Sequence, residues 1–189
     1  MKRINYKIGI KRTIFNQKIK IFVLWHFLIE VFNGNLPAKD YIKVLRRLLL
    51  FLSKMKDNKY VQTGNETKLN LYVPAFPTKA FYKACSKVIS VEKKMPCISV
   101  LLSITSACKF HCNHCYQKLD KGKDVDIEIL TDIVRKLDEM GVAFFNIEGG
   151  EPFLVFDRLK KVCSAVKTGE IWINSTGDGI TAEKLQILK

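Results

Sequence analysis

Three cysteines stand close together in the second half of the chain. Cys108, Cys112 and Cys115 lie four and three residues apart within the segment "CKFHCNHC". Three thiolates on one short loop can hold an iron-sulfur cluster, for which cysteine is the usual ligand. A cluster that only carries electrons normally has four cysteine ligands, so three leave one iron with an open position. The segment therefore indicates a cluster that takes part in chemistry.

Two histidines in the same segment, His111 and His114, leave a Cys3His zinc site open as an alternative. Zinc modules usually draw their fourth ligand from a more distant segment, and a histidine inside so short a loop would strain the tetrahedron. We therefore interpret His114 as a wall beside a cofactor and His111 as an exposed loop residue.

A second unusual segment, "EGGEP", occupies residues 148–152. Gly149 and Gly150 lack side chains, so the backbone can approach a ligand closely and adopt dihedral angles that other residues avoid. Pro152 suits the first position of a helix. The alternative to a ligand site is a tight strand-to-helix turn in which Glu151 caps the helix.

The elements that must position these segments repeat a strand, a loop and a helix. Such a repeat predicts parallel βα units, whose loops converge on one rim after the carboxyl ends of the strands. The first strand is a continuous apolar run and is expected to be buried on both faces. The predicted strands are 97–104, 142–147 and 170–174, and the predicted helices are 126–140, 153–167 and 180–189.

C-x3-C-x2-C after one strand and Gly-Gly-Glu-Pro after the next resembles the radical S-adenosylmethionine (radical SAM) superfamily. The resemblance runs from Pro96 to the end of the chain and includes Tyr116, an aromatic residue directly after the last cysteine. It implies an α/β fold, a partial (βα) TIM barrel with about three βα units, which would be the N-terminal portion of the family's core domain. Because the family's barrel has further units, we expect the sequence to be a fragment.

The resemblance also implies cofactors and a reaction. Cys108, Cys112 and Cys115 would ligate a four-iron four-sulfur cluster whose remaining iron binds S-adenosylmethionine. An electron from a donor such as flavodoxin or ferredoxin would then cleave the sulfonium. The resulting 5′-deoxyadenosyl radical would remove a hydrogen atom from a substrate that the sequence does not identify. No catalytic side chain is predicted.

The same resemblance implies which residues contact the cofactor. The Gly-Gly-Glu-Pro segment is expected to meet the amino group of the methionine portion. A polar residue after the third strand is expected to bind its carboxylate, although turn formation and helix capping also explain polar residues there. The candidate contacts are Tyr116, Gly149, Gly150, Glu151, Pro152, Asn174, Ser175 and Thr176.

The first half of the chain has a different character. Residues 1–95 carry 20 Lys and Arg against 5 Asp and Glu, whereas residues 96–189 carry 12 against 13. The polar segment "VEKKMP" at residues 91–96 marks the change. We therefore predict two domains, of which the first is a mostly α-helical basic region over 1–95. The resemblance implies that the second, over 96–189, is a truncated radical SAM core.

Two longer helices are predicted in the basic region, over residues 13–32 and from Pro37 onward, and a shorter one over 78–90. Residues 62–68 ("QTGNETK"), which lie between the second helix and the short third one, are predicted as turns. The second helix is expected to place one apolar face on a core or a lipid surface. That face comprises Ile42, Leu45, Leu48, Leu49 and Leu52.

The basic region should contact something anionic. Its cations are scattered through apolar helices rather than gathered into an arginine-rich tract, which argues against nucleic acid. A peripheral membrane contact fits better, and the alternative is a cap that packs on the open end of the barrel and closes the site. No secretion signal is recognised. The remaining cysteines are predicted to be core thiols, namely Cys85, Cys97 and Cys163. We therefore expect a reducing, cytoplasmic setting.

Two alternative functions stay open beside the radical SAM enzyme. One is a Cys3His zinc-binding interaction module that recruits nucleic acid or membrane. The other is a remnant that binds a cluster but cleaves nothing.

Overall fold

The computed structural model describes residues 4–53, 59–89, 97–117 and 122–188 of the 189-residue chain. The chain divides into two compact units, residues 1–96 and 97–189. The segment "VEKKMP", at which we predicted the domain boundary, lies outside the described residues. Among the described helices, none combines the length and the apolar character needed to cross a membrane.

Within its described residues, the first unit combines three helices with an antiparallel sheet of three strands, in the order β1 (Ile4–Lys7), β2 (Tyr60–Thr63) and β3 (Glu66–Lys68). The predicted helices are present, but the sheet was not predicted. The segment expected to form turns is instead the hairpin of β2 and β3, which reverses around Gly64 at a φ of +62°. The elements are β1 (Ile4–Lys7), α1 (Gly9–Phe32), α2 (Ala38–Ser53), β2 (Tyr60–Thr63), β3 (Glu66–Lys68) and α3 (Lys79–Ile89).

The predicted apolar face of α2 is wrong in part. Val44 and Leu48 are buried, whereas Ile42 is 72% exposed and Leu49 is 41% exposed. Leucines occur on several sides of this helix, so periodicity alone does not fix the side that packs. The side chain of Leu52 lies outside the described part of the chain.

Within its described residues, the second unit has a parallel sheet of three strands in the order β4 (Ser99–Ser103), β5 (Phe144–Glu148) and β6 (Glu170–Ile173), with a helix between successive strands. The expected parallel βα arrangement is confirmed, and closure into a barrel stays a prediction. The elements are β4 (Ser99–Ser103), α4 (Ile127–Glu139), β5 (Phe144–Glu148), a 3-10 turn (Pro152–Val155), α5 (Phe156–Ala165), β6 (Glu170–Ile173) and α6 (Ala182–Ile187).

One face of this sheet packs on helices α4 and α5, and the other does not. Leu102 and Ile147 join Val134 of α4 and Leu159 of α5 in the apolar core. On the opposite face of β4, Leu101 is 57% exposed. The prediction that the first strand is buried on both faces is therefore wrong. Among the described strands, β4 lies at the edge of the sheet, and α4 and α5 pack on the face of Leu102.

The isolated cysteines differ from one another. Cys85 is buried, and burial raises the pKa of its thiol to about 12. Cys163 is half-buried, and burial raises its pKa to about 11. Cys97 is exposed, because β4 begins two residues later at Ser99, so its prediction as a core thiol is wrong.

Candidate functional site

The three predicted ligands lie on the loop that connects β4 to α4. Cys108 and Cys115 are exposed, Cys112 is half-buried, and all three are free thiols. The backbone N–H of Cys115 donates to the carbonyl oxygen of Cys112 over 3.2 Å, which closes a turn between the last two cysteines. The backbone N–H of Phe110 donates to Cys108 Sγ over 3.4 Å. The loop therefore presents its sulfurs at the surface.

The cysteine loop does not form a site for a single metal ion. Within the described residues, no group of three or more His, Cys, Asp and Glu side chains is placed to hold one. A zinc ion needs four donors at about 2.0–2.3 Å. His111 and His114 are both exposed to solvent. The Cys3His zinc module is therefore not favoured.

An iron-sulfur cluster makes a different demand. It is wider than one ion and each cysteine binds a different iron, so the three sulfurs need not converge on one point. The loop offers three free thiols and no carboxylate between Cys108 and Cys115, which matches the preference of such clusters for thiolate. The residues present thus fit a cluster.

The turn at Gly149 and Gly150 is joined to the base of the cysteine loop. The N–H of Gly150 donates to the carbonyl oxygen of Thr105 over 2.7 Å, and the N–H of Glu151 donates to that of Ala107 over 2.8 Å. A Cβ on Gly150 would lie 2.1 Å from the Ala107 oxygen. Gly149 has a φ of +145°, and a Cβ there would lie 2.5 Å from the Thr105 oxygen. Both positions require glycine because the two loops touch.

Glu151 is fully buried, with none of its surface exposed. Its carboxylate caps the 3-10 turn by accepting from the N–H of Phe153 over 3.1 Å. It also accepts from Ser175 Oγ over 2.7 Å, from Thr176 Oγ1 over 2.6 Å and from the N–H of Thr176 over 2.8 Å. Burial alone would raise the pKa of Glu151, but these hydrogen bonds outweigh it and hold the pKa below its ordinary value.

These bonds decide what the predicted contacts do in this structure. The hydroxyl groups of Ser175 and Thr176 donate hydrogen bonds to Glu151. Asn174 Nδ2 donates to Glu148 Oε2 over 3.4 Å. Glu151 thereby ties the loop after β6 to the turn after β5. The capping role that we weighed for it is present, and direct contact of these residues with a cofactor stays a prediction.

A second carboxylate, which the sequence did not single out, anchors the start of the cysteine loop. Asp124 accepts from Thr105 Oγ1 over 2.7 Å and from the N–H of Ser106 over 2.8 Å. Desolvation pushes its pKa upward, yet these hydrogen bonds and the nearby Arg158 hold the pKa below its usual range. Thr105 and Asp124 are 19 residues apart, so no local pattern marks the pair.

The cysteine loop also meets the loop after β6. Lys109 Nζ lies 3.2 Å from Asp178 Oδ2, and both side chains are partly or largely exposed. The predicted convergence of the three loops on one rim is therefore present in the structure. Tyr116 lies at this rim with 71% of its surface exposed.

Comparison with known proteins finds the same region. Residues 102–189 match the family model of the Radical SAM superfamily. A GTP 3′,8-cyclase of Psychromonas ingrahamii is 35% identical over 71 residues, which are 35% of this chain and 21% of that protein. A probable GTP 3′,8-cyclase of Archaeoglobus fulgidus is 29% identical over 85 residues, covering 44% of this chain and 28% of that protein. A PqqA peptide cyclase of Streptomyces rochei is 31% identical over 90 residues, covering 45% and 24%.

This chain therefore spans about a quarter of the length of the curated relatives it matches.

Proposed function

We propose that this chain, whose residues 102–189 are a radical SAM domain, binds a four-iron four-sulfur cluster through Cys108, Cys112 and Cys115. Enzymes of this superfamily use such a cluster together with S-adenosylmethionine. When bound, the pair supplies reductive cleavage of the sulfonium and hydrogen abstraction by a 5′-deoxyadenosyl radical. The protein's own share is to bind, orient and exclude water.

The observation that carries the proposal is the direct contact between the two motifs. The turn at Gly150 and Glu151 donates two backbone hydrogen bonds to the base of the cysteine loop, at Thr105 and Ala107. Cluster ligands and cofactor-binding backbone are thereby held at the carboxyl ends of adjacent parallel strands, where α/β proteins bind ligands.

Backbone groups are the better candidates for holding the amino group of the methionine portion. The carboxylate of Glu151 already accepts four hydrogen bonds from the protein. Within the described part of the chain, no donor reaches the carbonyl oxygen of Gly149 or Gly150. Those two carbonyl oxygens would accept from the ammonium group, while Glu151 would fix the turn that presents them.

Anaerobic reconstitution with iron and sulfide tests the cluster. We expect about four iron atoms per chain and a brown protein. Each of the three single variants Cys108→Ser, Cys112→Ser and Cys115→Ser should contain much less iron than the wild type. Cys97→Ser is the matched control, because Cys97 is an exposed thiol outside the motif. Equal iron content in the motif variants and the control would refute the assignment.

A second measurement separates an enzyme from a remnant that binds a cluster and cleaves nothing. S-adenosylmethionine should perturb the electron paramagnetic resonance spectrum of the reduced protein. Dithionite, or a flavodoxin or ferredoxin as the physiological class of donor, should then yield 5′-deoxyadenosine. Iron uptake without 5′-deoxyadenosine would assign this chain to the remnant class.

For the first unit we propose a peripheral contact with an anionic membrane surface on the cytoplasmic side. Helix α1 exposes large apolar side chains, among them Ile14, Ile21, Trp25 and Phe32, in a region rich in lysine. Such a helix can lie in a lipid interface with its cations among the headgroups. Flotation with phosphatidylglycerol vesicles at low salt should carry the protein upward, and zwitterionic vesicles should carry less. Failure to float with either would end this proposal.

A further inference from the structure

A cleft lies beside the cysteine loop on the sheet face that α4 and α5 leave uncovered. Its volume is about 290 Å³. Ser103 and Glu148 are direct neighbours in the parallel register, so both point to this face at the carboxyl ends of β4 and β5. The cleft is lined by Leu101, Ser103, Tyr116, Gln117 and Glu148.

Two oxygen atoms of the lining are buried without a hydrogen-bond partner among the described residues. They are Glu148 Oε1 and Gln117 Oε1. A buried acceptor left unsatisfied destabilises the fold, and more so when it carries charge. Two such acceptors in one cleft therefore point to a donor other than the groups of the described residues.

The remaining polar atoms of the two side chains are held in place. Glu148 Oε2 accepts from Asn174 Nδ2 over 3.4 Å. Gln117 Nε2 donates to Ser103 Oγ over 2.9 Å and to Tyr116 Oη over 3.2 Å. Gln117 is thus held by its amide nitrogen and Glu148 by one long contact, and each side chain keeps one acceptor without a partner among the described residues.

We propose that this cleft is a substrate subsite for a cationic nitrogen group, an ammonium or a guanidinium, that donates to Glu148 Oε1 and Gln117 Oε1. A neutral amide would satisfy the hydrogen bonds but would leave the carboxylate charge without compensation. The inference rests on the proposed function, since it names a chemical feature of the substrate of that site. It differs from the buried carboxylate of Glu151, whose acceptors are already occupied.

The test uses the full chain without iron, so it does not depend on cluster assembly. Methylguanidinium, n-butylammonium and the neutral N-methylacetamide are titrated while the side-chain amide signals of Gln117 are followed by NMR. The two cations should shift these signals in a saturable way. The neutral probe should bind at least about tenfold more weakly.

Two variants with the same substitution locate the effect. Glu148→Gln should weaken binding of both cations about tenfold or more, because it removes the charge and keeps the shape. Glu139→Gln, an exposed site on α4, should leave the affinity unchanged. Circular dichroism of both variants reports whether the fold is retained. Folded Glu148→Gln protein with wild-type affinity, or equal binding of the neutral probe, overturns the proposal.

S-adenosylmethionine itself carries an ammonium group and is the second source of this chemistry. Adding it to the iron-free chain should leave the Gln117 signals and the n-butylammonium affinity in place. Displacement of n-butylammonium would assign the cleft to the cofactor and overturn the substrate subsite. Loss of iron binding in the reconstitution experiment would refute the proposed function while leaving this titration readable.

Discussion

The backbone N–H of Glu151 donates a 2.8 Å hydrogen bond to the carbonyl oxygen of Ala107, the residue directly before Cys108. The motif after the second strand of the parallel sheet therefore contacts the motif after the first through main-chain atoms. A change in the glycine pair should disturb the cysteine loop even where no cofactor is bound.

Gly150→Ala should impair cluster assembly. Its added Cβ would lie 2.1 Å from the Ala107 oxygen and 3.0 Å from Cys108 Cβ, so the loop must move. We expect less iron per chain after reconstitution and a loss of unfolding free energy of about 2 kcal/mol. Iron content and urea unfolding measure the two effects.

Gly34→Ala is the control for that experiment. Gly34 lies in the first unit, and a Cβ there meets nothing within 4 Å, although its φ of +76° makes alanine mildly strained. It should lower stability by about 1 kcal/mol without changing iron content. A Gly150→Ala protein that keeps the wild-type iron content would show that the contact at Ala107 does not govern the loop.

Glu151→Gln should destabilise the second unit in a pH-dependent way. An amide keeps one acceptor oxygen and brings donors toward Ser175 and Thr176, so we expect a loss of about 3 kcal/mol at neutral pH. Because the folded pKa of Glu151 is lowered from the ordinary value of 4.5, its stabilisation is present above that value and is lost as pH falls through the folded pKa.

Urea unfolding at pH 7 and at pH 3 checks both statements. The difference in unfolding free energy between wild type and Glu151→Gln should shrink at the lower pH. The same substitution at the exposed Glu139 should cost about 0.5 kcal/mol or less at either pH. An equally large deficit for Glu151→Gln at both pH values would contradict the charged state assigned to this carboxylate.

The sequence was sufficient to locate the three loops of the site but not the bonds between them. Cysteines and paired glycines at strand ends are visible in one chain, since their types and spacing are local. The partnership of Glu151 with Thr176 joins residues 25 apart, and it depends on which strand ends lie side by side. Single-sequence periodicity carries no information on that neighbour relation.

Asp124→Ala should loosen the start of the cysteine loop. The substitution removes the acceptor for Thr105 Oγ1 and for the N–H of Ser106. Because Asp124 is exposed, the effect on global stability should be small. We expect cluster loss under a chelator to accelerate about fivefold, which corresponds to a net loss of about 1 kcal/mol from the removed hydrogen bonds at this exposed site.

Asp132→Ala serves as the comparison, since Asp132 pairs with Lys136 and Arg135 on α4, away from the cysteine loop. Its rate of iron release into the chelator should equal that of the wild type. If both alanine variants release iron equally fast, Asp124 has no special hold on the loop.

The sequence predicted some elements of the fold and missed others. The 24-residue helix α1 follows from its long apolar segment, whereas β2 and β3 have four and three residues and leave almost no pattern to read. The apolar run before the cysteines indicated a strand correctly. Its exposed face at Leu101 depends on what packs beside β4, which is a tertiary property.

Asp138→Asn should lower the unfolding free energy of the second unit more than a surface substitution does. Asp138 is buried, and its carboxylate accepts from the backbone N–H groups of Lys167, Thr168 and Gly169 and from Thr168 Oγ1, at 2.8–3.1 Å. These bonds shape the turn that enters β6. An amide turns one acceptor into a donor facing N–H groups, so we expect a loss of about 3 kcal/mol in urea. Asp132→Asn, a substitution at a partly exposed side chain on α4, should change the unfolding free energy little, and equal losses for the two variants would refute the anchoring role of Asp138.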